Sequence, residues 1–458
     1  MKFLIVALFF LTSSLLQVAL GQSNDSERMP KSFMTPEGRV VFVDFISADY
    51  EVTYDLLGKK SVVQARIKFH QYEAGFPIYD SVEEILGVSV NGEEVTSGKA
   101  RTPEGETTVR FIKKSLPRGL HEAKISVPLN QLVQYTSKGI RSAFWTTDLE
   151  DRGFLERYMP ANFEFDQVKM KLMVHFKGIS QPQKIYTNGV VKKLHKDQES
   201  YEITYPSYFT SSSLFFHTLP EGSTNELNFS LRSLDGRMIP VTVYTTTTQF
   251  PGGTNLEVLK NKSTEYFHEL EKDYGAWPHD GLIVYNAGMG GMEYCGATMT
   301  SLSALGHEMF HSYFARGVMP ANGNSGWIDE ALASWRDEGY QSNSSLMGSS
   351  RMSAHPHHTR STDMNAYNFG ERFMQYLEGK LRAQGGLKPF MRFMLEKRIF
   401  SPFIIENFIK EMSEFYGVSL EADFKKFTYG EKTIFNNKFL SSKKIHQKLT
   451  IQEMEKFL

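Results

Sequence analysis

The chain has 458 residues, 41% of them apolar and 22% charged, with 51 basic against 52 acidic side chains. That length suffices for two or three domains with large cores. The charge balance removes the electrostatic case for nucleic-acid binding, and a single cysteine excludes a disulfide framework or a cysteine-rich zinc module.

Residues 1–21 read as a secretory signal peptide. Lys2 supplies the charged start, Phe3 to Leu11 the apolar core and Ala19-Leu20-Gly21 a small-residue cleavage site. The mature chain then begins near Gln22 and works outside the cytoplasm, periplasmic or secreted. No later run of about 18 apolar residues occurs, so no integral membrane association is expected after cleavage. Lone Cys295 suits an oxidising compartment, where spare thiols are disfavoured.

From about Arg39 to Leu219 short alternating runs predict strands: Val40 to Phe45, Tyr50 to Tyr54, Ser61 to Phe69 and Lys169 to Phe176. Asn91-Gly92 between β-formers predicts a hairpin. The polar, Gly-dotted stretch from Glu221 to Gly236 marks a boundary, giving a β-rich domain over 30–235 and a mixed α/β domain over 236–458. In the second domain Val241 to Tyr244 and Leu282 to Tyr285 are strand-like. Helical spacing runs from Leu256 to Tyr274, and further helices start near Ser301, Asp329, Met364, Lys388 and Ile405. Thr433 to Leu458 reads as a Lys-rich helical tail, packed or frayed, whose basic residues form a solvated face rather than a binding arm.

His307-Glu308-Met309-Phe310-His311 carries the chemistry. Two imidazoles at i and i+4 share one side of a helix, for which Ser301 is the expected N-cap and Leu302, Leu305, Met309, Phe310 and Phe314 the apolar face. Such a pair supplies two corners of a tetrahedral zinc site, and Glu308 is placed to face a metal-bound water. Eighteen residues after His311, Glu330 falls in the first turn of a second amphipathic helix. Two His and one Glu with an open fourth position make a catalytic site for one Zn²⁺ rather than a structural one. Ser334 lies one turn beyond Glu330, where some gluzincins, the zinc peptidases this spacing resembles, keep a carboxylate that orients a ligand imidazole; a hydroxyl there either serves more weakly or only caps the fold. His355-Pro356-His357-His358 reads as a solvated loop.

With this spacing the sequence resembles the gluzincin zinc peptidases, and among them the aminopeptidase N family. Trp327-x-Asp329-Glu330-x-x-Ala333 is similar to the family's Trp-Leu-Asn-Glu-Gly-x-Ala. Tyr274-Gly275-x-Trp277-Pro278 and Gly290-Gly291-Met292-Glu293-Tyr294 resemble its Phe-Gly-x-x-Pro and Gly-x-Met-Glu-Asn, and Tyr367-Asn368-Phe369-Gly370 its Tyr-x-x-Gly. Arg157 to Asp166 is similar to a further segment with altered spacing. Tyr294 for Asn and Ala331 for Gly are departures. The resemblance covers about residues 40–430. It implies an α+β multidomain fold, a β-rich saddle or sandwich followed by a thermolysin-like α/β catalytic domain, in a short form without the C-terminal helical domain and with a more open cleft.

The resemblance also implies roles. Glu308 is the general base, Tyr367 the oxyanion donor (Tyr376 competes by spacing), and Gly290, Gly291, Met292 and Glu293 bind substrate. The two glycines let a substrate backbone approach an edge strand, and Glu293 reads a free α-ammonium. The expected substrates are peptides with a free N-terminus. A second amine-holding residue from the first domain does not align cleanly; Glu150 or Asp151 is nearest. The rival readings are a thermolysin-like endopeptidase and a catalytically silent peptide-binding protein.

Overall fold

The computed structural model describes residues 29–103, 108–146, 154–194, 199–249, 255–321, 323–356, 362–430 and 451–458. The signal-peptide assignment, Glu150, Asp151, His357, His358 and most of the basic tail lie outside the described residues.

Two long strands, Asp44–Asp55 and Lys60–Gln71, bury nearly every second residue, as a half-covered sheet requires. They centre an eight-stranded sheet in the order Val190–Lys193, Ser200–Thr204, Lys169–Lys177, Asp44–Asp55, Lys60–Gln71, Gly119–Pro128, Gly87–Val90, Glu93–Val95. Asn91 and Gly92 form the two-residue turn of the last hairpin with φ of 52° and 83°, the left-handed pair that matches strand twist. The expected strand Val40 to Phe45 divides into Gly38–Val41 and Asp44–Asp55. Side chains of the 162–166 segment capture the intervening backbone: Asn162 donates to the Val43 carbonyl at 2.5 Å, and Asp166 accepts from the Phe45 N–H at 2.8 Å. Two smaller sheets, of five and four strands, complete the β-rich half.

The second half is built on a five-stranded sheet ordered Thr224–Arg232, Met238–Thr246, Leu282–Asn286, Ala297–Thr300, Gly291–Tyr294. The middle three strands run parallel, and the two outer ones pair antiparallel. Thr224–Arg232 lies before the expected boundary at residue 235. By strand pairing the second unit therefore begins at Thr224, because the polar stretch supplies an outer strand and not a linker.

Helix α1 (Leu256–Tyr274) makes the crossover between two parallel strands. Asn255 caps it by accepting from the Glu257 and Val258 N–H groups at 3.1 and 3.2 Å. The other α-helices among the described residues are α2 (Leu305–Phe310), α3 (Ile328–Asp337), α4 (Glu371–Lys380), α5 (Lys388–Arg398), α6 (Ile405–Tyr416), α7 (Glu421–Phe427) and the short α8 (Ile451–Met454). A π-helical turn, Ala366–Gly370, precedes α4 where the sequence predicted a helix from Met364. Among the described residues no helix is long and apolar enough to cross a membrane.

Two large cores result. Trp277, Trp327 and Trp335 anchor the helical one, each at most 1% exposed. The other belongs to the β-rich half but also takes in Tyr285, Met292 and Tyr294 of the second sheet. The edge strand Gly291–Tyr294 is thus fastened from the first domain. Tyr294 Oη accepts the Thr146 N–H at 3.0 Å, and Asn188 donates to the Cys295 carbonyl at 2.8 Å. Met454, Phe457 and Leu458 also bury in this core, so the end of the tail is packed, with Lys456 left exposed.

Candidate metal centre

Helix α2 is shorter than the sequence predicts. It starts at Leu305 instead of near Ser301, whose hydroxyl caps only a preceding turn through the Ala304 N–H at 3.3 Å. His311 ends it, although the apolar pattern continues to Phe314. Ser312 and Tyr313 bond three residues back, and Ala315 takes a φ of 139°. This uncoiling turns the Phe314 carbonyl toward the His311 ring, where it lies 3.1 Å from Nδ1.

His307 and His311 come from α2 and Glu330 from the first turn of α3. Two glycines seat α3, Gly306 on the side of α2 and Gly370 on the side of the π-helical turn. A Cβ at Gly306 would stand 2.8 Å from the Arg336 guanidinium, and one at Gly370 would stand 2.7 Å from the Ala331 Cβ. The result is a buried cluster: Glu330 Oε2 lies 3.1 Å from His307 Nε2 and 3.3 Å from His311 Nε2. His307 Nδ1 is 2.7 Å from Asp337 Oδ2.

These contacts fix the tautomers. With each Nδ1–H donated outward, to Asp337 and to the Phe314 carbonyl, both Nε2 atoms turn lone pairs toward a carboxylate oxygen that is also only an acceptor. Three acceptors facing one another require a cation. Ligand atoms about 2.0–2.1 Å from one tetrahedral ion lie roughly 3.3–3.4 Å apart, which the two distances approach. The donor set therefore fits zinc.

In the metal-free chain, protons fill that role. Burial opposes charge on His307, yet bonding and attraction from Asp337 and Glu330 hold it well above the usual imidazole value. Burial is likewise outweighed at His311, which Glu330 pushes up to about 9. Glu330 is held far below the carboxylate range, its burial overcome by His311 and His307.

Asp337 was not singled out from the sequence, which pointed to Ser334. The signal was available, since Asp337 lies seven residues after Glu330 and returns to the same face after two turns. The acceptor of the His307 Nδ1–H is the Asp337 carboxylate. Arg336 bonds Asp337 at 3.0 Å and Glu269 of α1 at 2.8 Å, tying the ligand's orientation to a third helix.

Glu308 is buried beside the cluster. Burial, with Glu293 and Glu330 nearby, lifts its carboxyl to about 8 against the opposing pull of His307 and His311. Its carboxylate rests on Gly291: a Cβ there would meet Glu308 Oε1 at 1.9 Å. The sequence reading gave this glycine to substrate approach, whereas the space it vacates is filled by Glu308. Gly290, with a φ of 69°, turns the chain into the strand, and its carbonyl accepts the Ser301 N–H at 3.1 Å.

Along the strand Gly291 and Glu293 share the face toward Glu308, while Met292 and Tyr294 point into the core. Met292 therefore offers the site only its backbone, and its carbonyl accepts from the Thr298 hydroxyl at 3.0 Å. Glu293 is 3% exposed and grouped with Glu308 and His311. It accepts from Arg316 Nη2 at 2.7 Å, a partner the sequence reading missed, though Arg316 is a lone cation in an apolar run. Tyr367, 8% exposed, sits in the π-turn whose Gly370 packs on Ala331, the residue after Glu330. Tyr376 is engaged elsewhere, donating to Asp423 at 2.7 Å. His355 pairs with Asp363 at 2.9 Å.

The sequence matches no family model and none of the curated proteins. Its structure is similar to an M1 zinc metallopeptidase variant from Deinococcus radiodurans, with a TM-score of 0.61 at 14% identity over 85% of this chain and 95% of the other. Legionella pneumophila aminopeptidase A in complex with aspartic acid gives 0.60 at 13%, over 85% and 49%. Yeast LTA4 hydrolase in complex with bestatin gives 0.58 at 14%, over 85% and 68%. A β-rich half of several sheets, followed by a mixed half that carries the metal-type cluster, thus gives this chain the fold of the M1 zinc metallopeptidases.

Proposed function

We propose that this chain is a zinc-dependent peptidase that removes residues from the amino end of peptides, working outside the cytoplasm once residues 1–21 are cleaved. The observation that carries the reading is the convergence of His307, His311 and Glu330, three buried side chains whose ligand atoms all lie within 4.8 Å of one another. One zinc ion held by these residues supplies an acidified water and a Lewis acid for the scissile carbonyl.

The chain's own groups do the rest. Asp337 and the Phe314 carbonyl hold both imidazoles in the ligating tautomer. Glu308, raised toward neutrality and fixed on Gly291, accepts the water's proton and returns it to the leaving amine. Tyr367 donates to the oxygen that becomes negative. The outer edge of the Gly291–Tyr294 strand, last in its sheet, offers backbone groups to an extended peptide. Glu293, buried at the end of that track, marks where the amino end stops.

The test is product analysis on an unblocked oligopeptide with the zinc-loaded protein and its Glu308→Gln variant. The expected outcome is sequential release of single residues from the amino end, lost in the variant with zinc still bound. Cleavage confined to internal bonds would replace this reading with the endopeptidase one, and activity unchanged by Glu308→Gln would refute both.

A further inference from the structure

Glu293 does not wait for a substrate with its charge unspent. Arg316 is 4% exposed, donates to Glu293 Oε1 from Nη2 at 2.7 Å and to Ser212 Oγ of the first domain from Nη1 at 2.6 Å. Glu164, also of the first domain, stands 3.9 Å from Nη1. The backbone fixes the arginine's origin, since its N–H bonds the His311 carbonyl at 2.9 Å and Ala315 before it has a φ of 139°. The guanidinium therefore bridges both domains and ends on the carboxylate that would meet a substrate's amino group. Its Nε–H has no acceptor among the described residues.

A substrate ammonium at Glu293 would bring one positive charge to a buried carboxylate, and Arg316, bonded to that carboxylate at 2.7 Å, already supplies one. An arriving ammonium must then share Glu293 with a fixed cation, whereas a neutral acylated nitrogen meets a neutral pair.

We propose that Arg316 is a specificity-determining residue that stands in for the substrate ammonium at Glu293, so that peptides blocked by acylation at the amino end are accepted alongside free ones. This rests on the peptidase reading above and names the substrate class of the same site.

The experiment measures binding and turnover separately. Zinc-loaded Glu308→Gln protein is titrated calorimetrically with a short peptide and with its N-acetylated twin. The same pair is then titrated against Glu308→Gln combined with Arg316→Gln or with Arg316→Lys. With Arg316 present the two peptides should bind within about threefold of each other. Arg316→Gln should favour the free amine by tenfold or more, and Arg316→Lys, which keeps the charge, should restore part of the tolerance. A merely structural role would weaken both peptides equally and leave their ratio unchanged.

Turnover of both peptides by the unmutated protein gives a readout independent of any substitution. Comparable kcat/KM, with the amino-terminal residue released from both the free and the acetylated peptide, supports the proposal. A hundredfold preference for the free amine overturns it, as does binding of neither peptide, and cleavage of both at internal bonds alone overturns the amino-end reading instead. Should neither peptide be hydrolysed while both bind, the peptidase reading fails and the binding ratio still decides the role of Arg316.

Discussion

Replacing Asp337 by Asn tests how the ligand imidazoles are held. The contact from His307 Nδ1 to Asp337 Oδ2 is 2.7 Å, within the charge-assisted range, and the Asp337 side chain is 21% exposed. Asn keeps an oxygen in place and removes the charge. A hydrogen bond to a charged group is worth about 1.5–3 kcal/mol and a neutral one about 0.5–1.5 kcal/mol. The change therefore costs roughly 1–1.5 kcal/mol of imidazole orientation and basicity, about a tenfold loss in zinc affinity. Asp337→Ala removes the acceptor altogether and should approach the hundredfold end of the range for groups behind a metal ligand. Competition against a chromophoric chelator at fixed pH measures both. Ser334→Ala is the control and should leave affinity unchanged. If both Asp337 variants bind zinc within twofold of the unmutated protein, Asp337 does not position His307 and the reasoning is wrong.

Stability should depend on pH in opposite ways with and without metal. His311 is raised on folding to about 9, from roughly 6.5 in the unfolded chain, and His307 shifts the same way. Their contribution is complete below about pH 6.5 and is lost as pH rises through the folded value. The metal-free thermal midpoint should fall between about pH 7 and 9.5, while zinc affinity climbs over the same window as the ion displaces protons. A flat metal-free profile would contradict the assignment. Gly291→Ala pushes a methyl into the Glu308 carboxylate without demanding a left-handed backbone. It should cut kcat by about a hundredfold or more, the scale of a displaced general base, with zinc content retained. Tyr367→Phe should lower kcat by about a hundredfold with little change in KM if the phenol serves the oxyanion; a change confined to KM would assign Tyr367 to binding.

Local pattern was enough to specify a great deal. The strands of the first half follow from alternation, and the Asn91-Gly92 turn follows from the two residue types that tolerate a left-handed backbone. That His307 and His311 share a face follows from helical periodicity, because residues one turn apart must do so whatever surrounds them, and the eighteen-residue spacing singled out Glu330 on the next helix. What pattern left open concerns partners distant along the chain. The helix bearing the histidines ends early because the backbone after it turns back to give His311 an acceptor. The sheet of the second half takes Thr224–Arg232 because that polar strand finds an edge to pair with. Gly291 is needed for a carboxylate seventeen positions later, and Glu293 is met by an arginine that leans on Ser212 of the first domain. Periodicity fixes which way a side chain faces. Only the packing of helices, sheet and first domain against one another decides what it meets there.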